Sequence, residues 1–115
     1  MKKFLRSLKH AFRGITIVSR EERNFQIQLA IAILLIIFMI ISDFSAMEVA
    51  MIILAIVSVL GSEMINTAIE NTLNKLHPEH DTAVGKIKDI SAGFVFIVSF
   101  GSFLVGMIIF ISHFF

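Results

Sequence analysis

The chain has 115 residues, of which 57 % are hydrophobic, and its formal net charge is only +1. A soluble domain of this size has too little interior to bury so many apolar side chains, so the composition favours a membrane protein. The absence of cysteine excludes disulfides, iron–sulfur clusters and thiolate chemistry.

The first part of the chain, about residues 1–20, predicts an amphipathic helix. Its apolar residues recur at helical spacing and share one face: Phe4, Leu5, Leu8, Ala11, Phe12 and Ile15. The opposite face is polar and mostly basic: Lys2, Lys3, Arg6, Lys9, His10 and Arg13. A basic amphipathic helix lies in the membrane interface, either as an anchor without chemistry or as part of a site. A signal peptide is not expected, because the stretch is too long and too charged.

Three apolar runs follow, at about residues 25–42, 49–69 and 90–112. Each approaches the length of about 20 residues that spans a bilayer as a helix. A short polar turn at 43–48 and a loop at 77–85, which holds the only proline, separate them. The sequence thus predicts one all-α membrane domain over residues 1–115. Three spans leave little interior, and oligomerisation is the natural way to bury polar groups inside a membrane.

The basic residues predict the orientation. Seven of the ten lie in residues 2–23 and three in residues 75–88. Lys and Arg concentrate on the cytoplasmic side of membrane proteins, so both blocks belong in the cytoplasm and the 43–48 turn and the C-terminus lie outside. We expect a multi-pass protein of the cell membrane with a cytoplasmic N-terminus and no nucleic-acid partner.

The stretch SEMINTAIENTLNK, at the end of the second apolar run, carries polar residues that a membrane helix does not need. Glu63, Asn66 and Glu70 are spaced i, i+3 and i+7, so they share one helix face. A carboxylate inside the bilayer costs a few kcal/mol and usually faces protein or water. Alternatively, the helix end frays into the headgroups and Glu70 is simply solvated.

Other polar residues are expected at the same cytoplasmic level, where the first and third spans begin: Glu21, Glu22, Gln26, Gln28, Lys86, Lys88 and Asp89. Carboxylate and amide oxygens suit Mg²⁺ that also binds phosphates, and lysines offset phosphate charge. The chain has no P-loop and no kinase-type glycine-rich loop. These residues alone predict a polar site, with magnesium–nucleotide binding as one possible use.

The segments REERNFQIQ, EMINTAIENTLNKL and KIKDISAGFVF together resemble the prokaryotic diacylglycerol kinase family, over nearly the whole chain. The resemblance implies a homotrimer of subunits with a surface helix and three spans, and ATP- and Mg²⁺-dependent phosphorylation of a membrane lipid alcohol. It implies Glu63 as the base, and Glu22 and Glu70 as metal ligands. The implied nucleotide contacts are Lys3, His10, Glu22, Asn66, Glu70, Glu79, His80, Asp81, Lys88 and Asp89.

One departure from the family bears on the substrate. Diacylglycerol-specific members carry a Glu six residues after the metal acid, where this chain has Gln28, and their surface helix differs at Phe12 and Thr16. EERNFQIQL is more similar to the branch that phosphorylates undecaprenol, which we therefore expect as the substrate, with diacylglycerol as the alternative.

Two alternatives from other classes stay open on the residues alone. A small proton-coupled transporter would explain Glu63 as the carrier of the proton. It would not explain why Glu22, Asn66, Glu70 and Lys88 gather at one level. In a purely structural membrane subunit, the polar stripe would join helices to each other.

Overall fold

The computed structural model describes all residues, 1–115, as four helices: α1 Lys2–Glu21, α2 Arg23–Ile41, α3 Ala46–Leu76 and α4 Thr82–Phe114. The predicted all-α class is confirmed. Three of the helices, α2, α3 and α4, are long and apolar enough to cross a membrane. The apolar side chains of α1, among them Phe4, Leu5 and Phe12, are exposed.

The breaks between helices are short. Glu22, with extended backbone angles, is the one residue between α1 and α2. The α2–α3 turn contains Asp43 with a φ of 55°, a left-handed conformation that Asp tolerates better than most residues. Ser45 then starts α3 with a capping box, in which its hydroxyl accepts from the Glu48 N–H and the Glu48 carboxylate accepts from the Ser45 N–H.

The second and third apolar helices run further than the predicted spans of 49–69 and 90–112. The 31 residues of α3 and the 33 of α4 correspond to about 46 and 50 Å, whereas the hydrocarbon core is about 30 Å thick. The 77–85 loop is also shorter than predicted, because the Asp81 carboxylate accepts from the N–H groups of Ala83 (2.7 Å) and Val84 (3.3 Å) and starts α4 there.

One end of the bundle is held together by aromatic rings, and we call it the phenylalanine end. Rings of Phe38, Phe44, Phe110 and Phe114 lie 5.5–6.2 Å apart, centroid to centroid. The buried core beside them consists of Met39, Phe44, Ile52 and Ile109. These contacts bring the C-terminal ends of α2 and α4 level with the start of α3.

The opposite end, where α1 joins α2 and the 77–81 loop joins α3 to α4, is the polar end. Measured along the helices from the phenylalanine end, Glu63 on α3 lies about 25 Å away and Asn24 on α2 lies at the same level. Glu70 lies about 10 Å further along α3. The helix lengths therefore place Glu63 just inside one edge of an apolar layer and Glu70 beyond it.

Candidate active site

The polar stripe on α3 is buried within the fold. Glu63 is 3 % exposed and Asn66 8 %, and the neighbouring Ser62 and Thr67 are also buried. Glu70, one turn further on, is half-buried. A frayed, solvated helix end would leave all these side chains exposed, so this alternative is wrong for Glu63 and Asn66.

Four side chains lie near the Glu63 carboxylate, three from the start of α2 and one from α3 itself. Asn24 and Gln28, in the first two turns of α2, reach towards it, and Glu22 and Glu70 lie near enough for their charges to act on it. The predicted convergence of the start of the first span with the end of the second is therefore present in a single chain. The carboxylate faces other polar groups although its helix is mostly apolar.

The third span contributes two cross-helix hydrogen bonds. The Ser91 hydroxyl on α4 donates to Asn66 Oδ1 at 2.7 Å, and the Lys88 ammonium donates to Asn74 Oδ1. Ser91 and Lys88 are spaced i, i+3 and share a helix face. This face turns the predicted nucleotide residue Lys88 towards the stripe, whereas Asp89 next to it is exposed.

An apolar groove begins at Gln28 on α2 and, on α3, one turn from Glu63. It has a volume of about 560 Å³, lies between α2, α3 and α4, and extends from Gln28 at the polar end to Phe110 at the phenylalanine end. Eleven of its fifteen lining residues are hydrophobic. The Gln28 Oε1 atom is buried and has no hydrogen-bond partner in the chain. A buried acceptor without a partner is costly, so this atom is available to a ligand with a hydroxyl group.

The donor set is compatible with magnesium only together with a nucleotide. No group of three or more histidine and carboxylate side chains lies close enough to hold a metal ion alone. Mg²⁺, however, commonly takes one or two carboxylates and completes its shell with phosphate oxygens and water. Glu22 and Glu70 meet that requirement, because both lie near Glu63 and carry carboxylate oxygens.

The loop residues implied by the resemblance differ in exposure and in hydrogen bonding. Glu79 and His80 are exposed. Asp81 is engaged locally, because besides capping α4 it lies 3.0 Å from His77 Nε2. The hydrogen bonds from His77 and from the N–H groups of Val84 and Ala83 lower the pKa of the Asp81 carboxyl below its ordinary value.

Lys3 and His10 are not brought to the polar end within one chain. Both are exposed, and along α1 they lie about 28 and 18 Å from Glu22. These residues could contact a nucleotide only at the site of a neighbouring copy of the chain.

Two residues at the site, Ser91 and Asn24, were passed over by sequence reasoning. Both are polar residues in apolar helices: Ser91 bonds Asn66 on α3, and Asn24 lies close to Glu63 on α3. In the sequence, only the polarity of these residues within or beside apolar runs could have indicated their role, because no motif marks a partner on another helix.

The comparisons with known proteins agree with this geometry. Residues 9–110 match the family model of prokaryotic diacylglycerol kinase, and the chain belongs to this family, as the motifs predicted. It is therefore a membrane lipid kinase with ATP as its co-substrate, rather than a transporter or a structural subunit. The undecaprenol kinase of Bacillus subtilis (strain 168) is 34 % identical over 111 residues, which cover 96 % of this chain and 90 % of that relative. This match supports the predicted undecaprenol kinase-like branch.

Proposed function

We propose that the protein transfers the γ-phosphate of ATP to undecaprenol in a magnesium-dependent reaction. The observation that carries the proposal is the buried Glu63 carboxylate at the polar end of an apolar groove, with Glu22 and Glu70 beside it. A lipid alcohol fits this arrangement because its chain needs an apolar surface and its hydroxyl needs a proton acceptor.

Glu63 is the general base of the proposed reaction. The lipid hydroxyl oxygen attacks the γ-phosphorus, its proton passes to Glu63, and the bond to the β-phosphate oxygen breaks to release ADP. Asn24 and Gln28, at the start of α2, lie close to this carboxylate.

Glu22 and Glu70 would hold the magnesium ion. When bound, this ion neutralises charge on the phosphates. The Asn66 amide donates to a phosphate oxygen, and Lys88 offsets the charge that moves with the γ-phosphoryl group. The remaining nucleotide contacts of the proposal are Lys3, His10, Glu79, His80, Asp81 and Asp89.

Two facts support undecaprenol over diacylglycerol. The relative from Bacillus subtilis is an undecaprenol kinase, and this chain carries the neutral Gln28 where diacylglycerol-specific members carry a Glu. The groove next to Gln28 offers apolar surface from one end of the bundle to the other, and this length suits the long apolar chain of a polyprenol.

The proposal includes a homotrimer with the polar end in the cytoplasm. The basic residues lie on α1, at the start of α2 and on either side of the 77–81 loop, which the positive-inside rule assigns to the cytoplasmic side. The exposed apolar face of α1 suits the membrane interface. Lys3 and His10 lie far from Glu63 in their own chain, so a neighbouring subunit is the means by which α1 would reach a site.

Phosphate transfer by the purified protein in micelles tests the proposal. We expect labelled phosphate to pass from ATP to undecaprenol faster than to diacylglycerol when both are offered side by side. Glu63→Gln is expected to keep its helical circular dichroism and to lose 10²- to 10⁴-fold in turnover, the usual contribution of a general base. The matched control is Glu21→Gln, which neutralises an exposed carboxylate next to Glu22. Near-normal turnover by Glu63→Gln would contradict the base assignment, and a preference for diacylglycerol would contradict the substrate.

A further inference from the structure

We infer that Ser91 is a positioning residue for the nucleotide: its hydroxyl fixes the orientation of the Asn66 amide so that the Nδ2 group faces the phosphates. The inference rests on the proposed function, because it takes Asn66 as a phosphate contact. It adds a residue from α4 that the family motifs do not mark as part of the site.

The hydrogen bond that carries the inference is buried and links two helices. Ser91 Oγ donates to Asn66 Oδ1 at 2.7 Å, and the two residues are 6 % and 8 % exposed. Ser91 and Ile109 are the only buried residues of α4. A hydroxyl enclosed between two helices is retained at a cost unless it is hydrogen-bonded.

Ser91 also differs from the other hydroxyl residues of the chain. Five of them bond a carbonyl four residues back in their own helix: Ser7, Thr16, Ser19, Ser58 and Thr72. Such a bond satisfies a hydroxyl within its own helix. Ser91 is the one hydroxyl that donates to a side chain on another helix, so its bond is specific to Asn66.

The direction of this bond has a chemical consequence. An Asn amide has one end that accepts and one that donates, and the two ends are almost the same size. Ionised phosphate oxygens act only as hydrogen-bond acceptors, so a neutral amide can bind them only through its NH₂ end. Because the Ser91 proton occupies Oδ1, the two Nδ2 protons are directed away from it, which is the orientation that a phosphate requires. Without the hydroxyl, the amide would turn freely between a productive and an unproductive orientation.

The test compares nucleotide binding in Ser91→Ala and Ser91→Thr. We expect Ser91→Ala to weaken MgADP binding, measured by calorimetry, and to raise the KM for ATP by about fivefold, which corresponds to the loss of one typical hydrogen bond. The kcat and the KM for the lipid should stay within about twofold. Ser91→Thr keeps the hydroxyl and should restore nucleotide binding. Ser58→Ala, which removes an exposed hydroxyl that bonds its own helix, should match the wild type.

A double-mutant cycle separates positioning from a general structural role. In an Asn66→Ala background, Ser91→Ala should cause no further loss of MgADP affinity, because there is no amide left to orient. Equal losses in the two backgrounds, or unchanged MgADP affinity in Ser91→Ala alone, would overturn the inference. Failure of the proposed function would look different. The wild type would then phosphorylate neither undecaprenol nor diacylglycerol, whereas the effect of Ser91→Ala on MgADP binding could still be measured.

Discussion

The imidazole ring of His113 on α4 stacks on the ring of Phe44, with their centroids 4.1 Å apart and their planes 14° from parallel. The same imidazole places Nδ1 3.3 Å from the Glu48 carboxylate in the first turn of α3. The last turn of α4 is therefore attached to both sides of the α2–α3 turn. This attachment fixes the relative height of the three helices. It thereby sets the levels of Gln28, Glu63 and Ser91, which lie about 20, 23 and 33 Å from the attached ends of α2, α3 and α4 at about 1.5 Å of rise per residue.

Phe44→Ala tests this attachment. Phe44 is 9 % exposed and packs in the core with Met39, Ile52 and Ile109. Truncation leaves a cavity and removes the stacking partner of His113, so we expect a loss of about 3 kcal/mol. The melting temperature in micelles, followed by circular dichroism because the chain has no Trp or Tyr, reports the loss. Phe96→Ala removes an exposed ring, and an equal effect of both substitutions would show that Phe44 has no special packing role.

The cap at Asp81 should make the start of α4 sensitive to acid. Its pKa is lowered in the folded state by hydrogen bonds from His77, Val84 and Ala83, so the folded protein binds this proton less readily than the unfolded chain does. The stabilisation is therefore complete above the unfolded value, near 3.8, and is lost as the pH falls through the lower folded value.

Asp81→Ala is the variant that measures this effect. We expect it to melt below the wild type at neutral pH, and the difference in melting temperature to shrink in the acid range. Asp81→Asn keeps a capping oxygen without a charge, so its melting temperature should lie between the two at neutral pH. A difference between wild type and Asp81→Ala that stays the same down to pH 2 would contradict the lowered pKa.

Removing a metal carboxylate should change the magnesium requirement before it changes the fold. Glu70→Gln keeps the size of a half-buried side chain but replaces a charged ligand with a weaker, neutral one. We expect the magnesium concentration for half-maximal turnover to rise at least tenfold, a factor that corresponds to about 1.4 kcal/mol. In the same titration Glu21→Gln should follow the wild-type curve. An unchanged magnesium dependence of Glu70→Gln would remove this residue from the metal site.

The substrate preference should respond to Gln28. Gln28→Glu restores the carboxylate found at this position in diacylglycerol-specific members and places it next to Glu63. We expect the ratio of undecaprenol to diacylglycerol phosphorylation to fall. Gln26→Glu is the matched control, because Gln26 is exposed and bonds the carbonyls of Ser19 and Arg20 outside the groove. If both variants leave the ratio unchanged, Gln28 does not select the lipid.

Much of the fold could be predicted from the sequence because the apolar runs are long and the polar residues inside them are few. The helical spacing of Glu63, Asn66 and Glu70 was enough to place them on one face, and their burial follows from that face meeting α2 and α4. The family motifs marked these residues because they recur as a short local pattern.

The cross-helix partners could not be predicted, since they depend on register between helices far apart in the sequence. Ser91 and Asn66 are 25 residues apart, and Glu48 and His113 are 65 apart. The ring of His113, in the last turn of α4, is stacked on Phe44, and no local pattern in the sequence marks that contact. The ends of α3 and α4 were also missed, because hydropathy detects the apolar part of a helix and not the polar turns that continue it.

The single residue between α1 and α2 has a mechanical consequence. Glu22 is the only position at which the backbone leaves the helical conformation between Lys2 and Ile41, so its two dihedral angles set the direction of α1 relative to the first membrane helix. A ligand that pulls on the Glu22 carboxylate therefore acts on a pivot, and a small rotation there moves Lys3, some 28 Å away along α1, through a long arc.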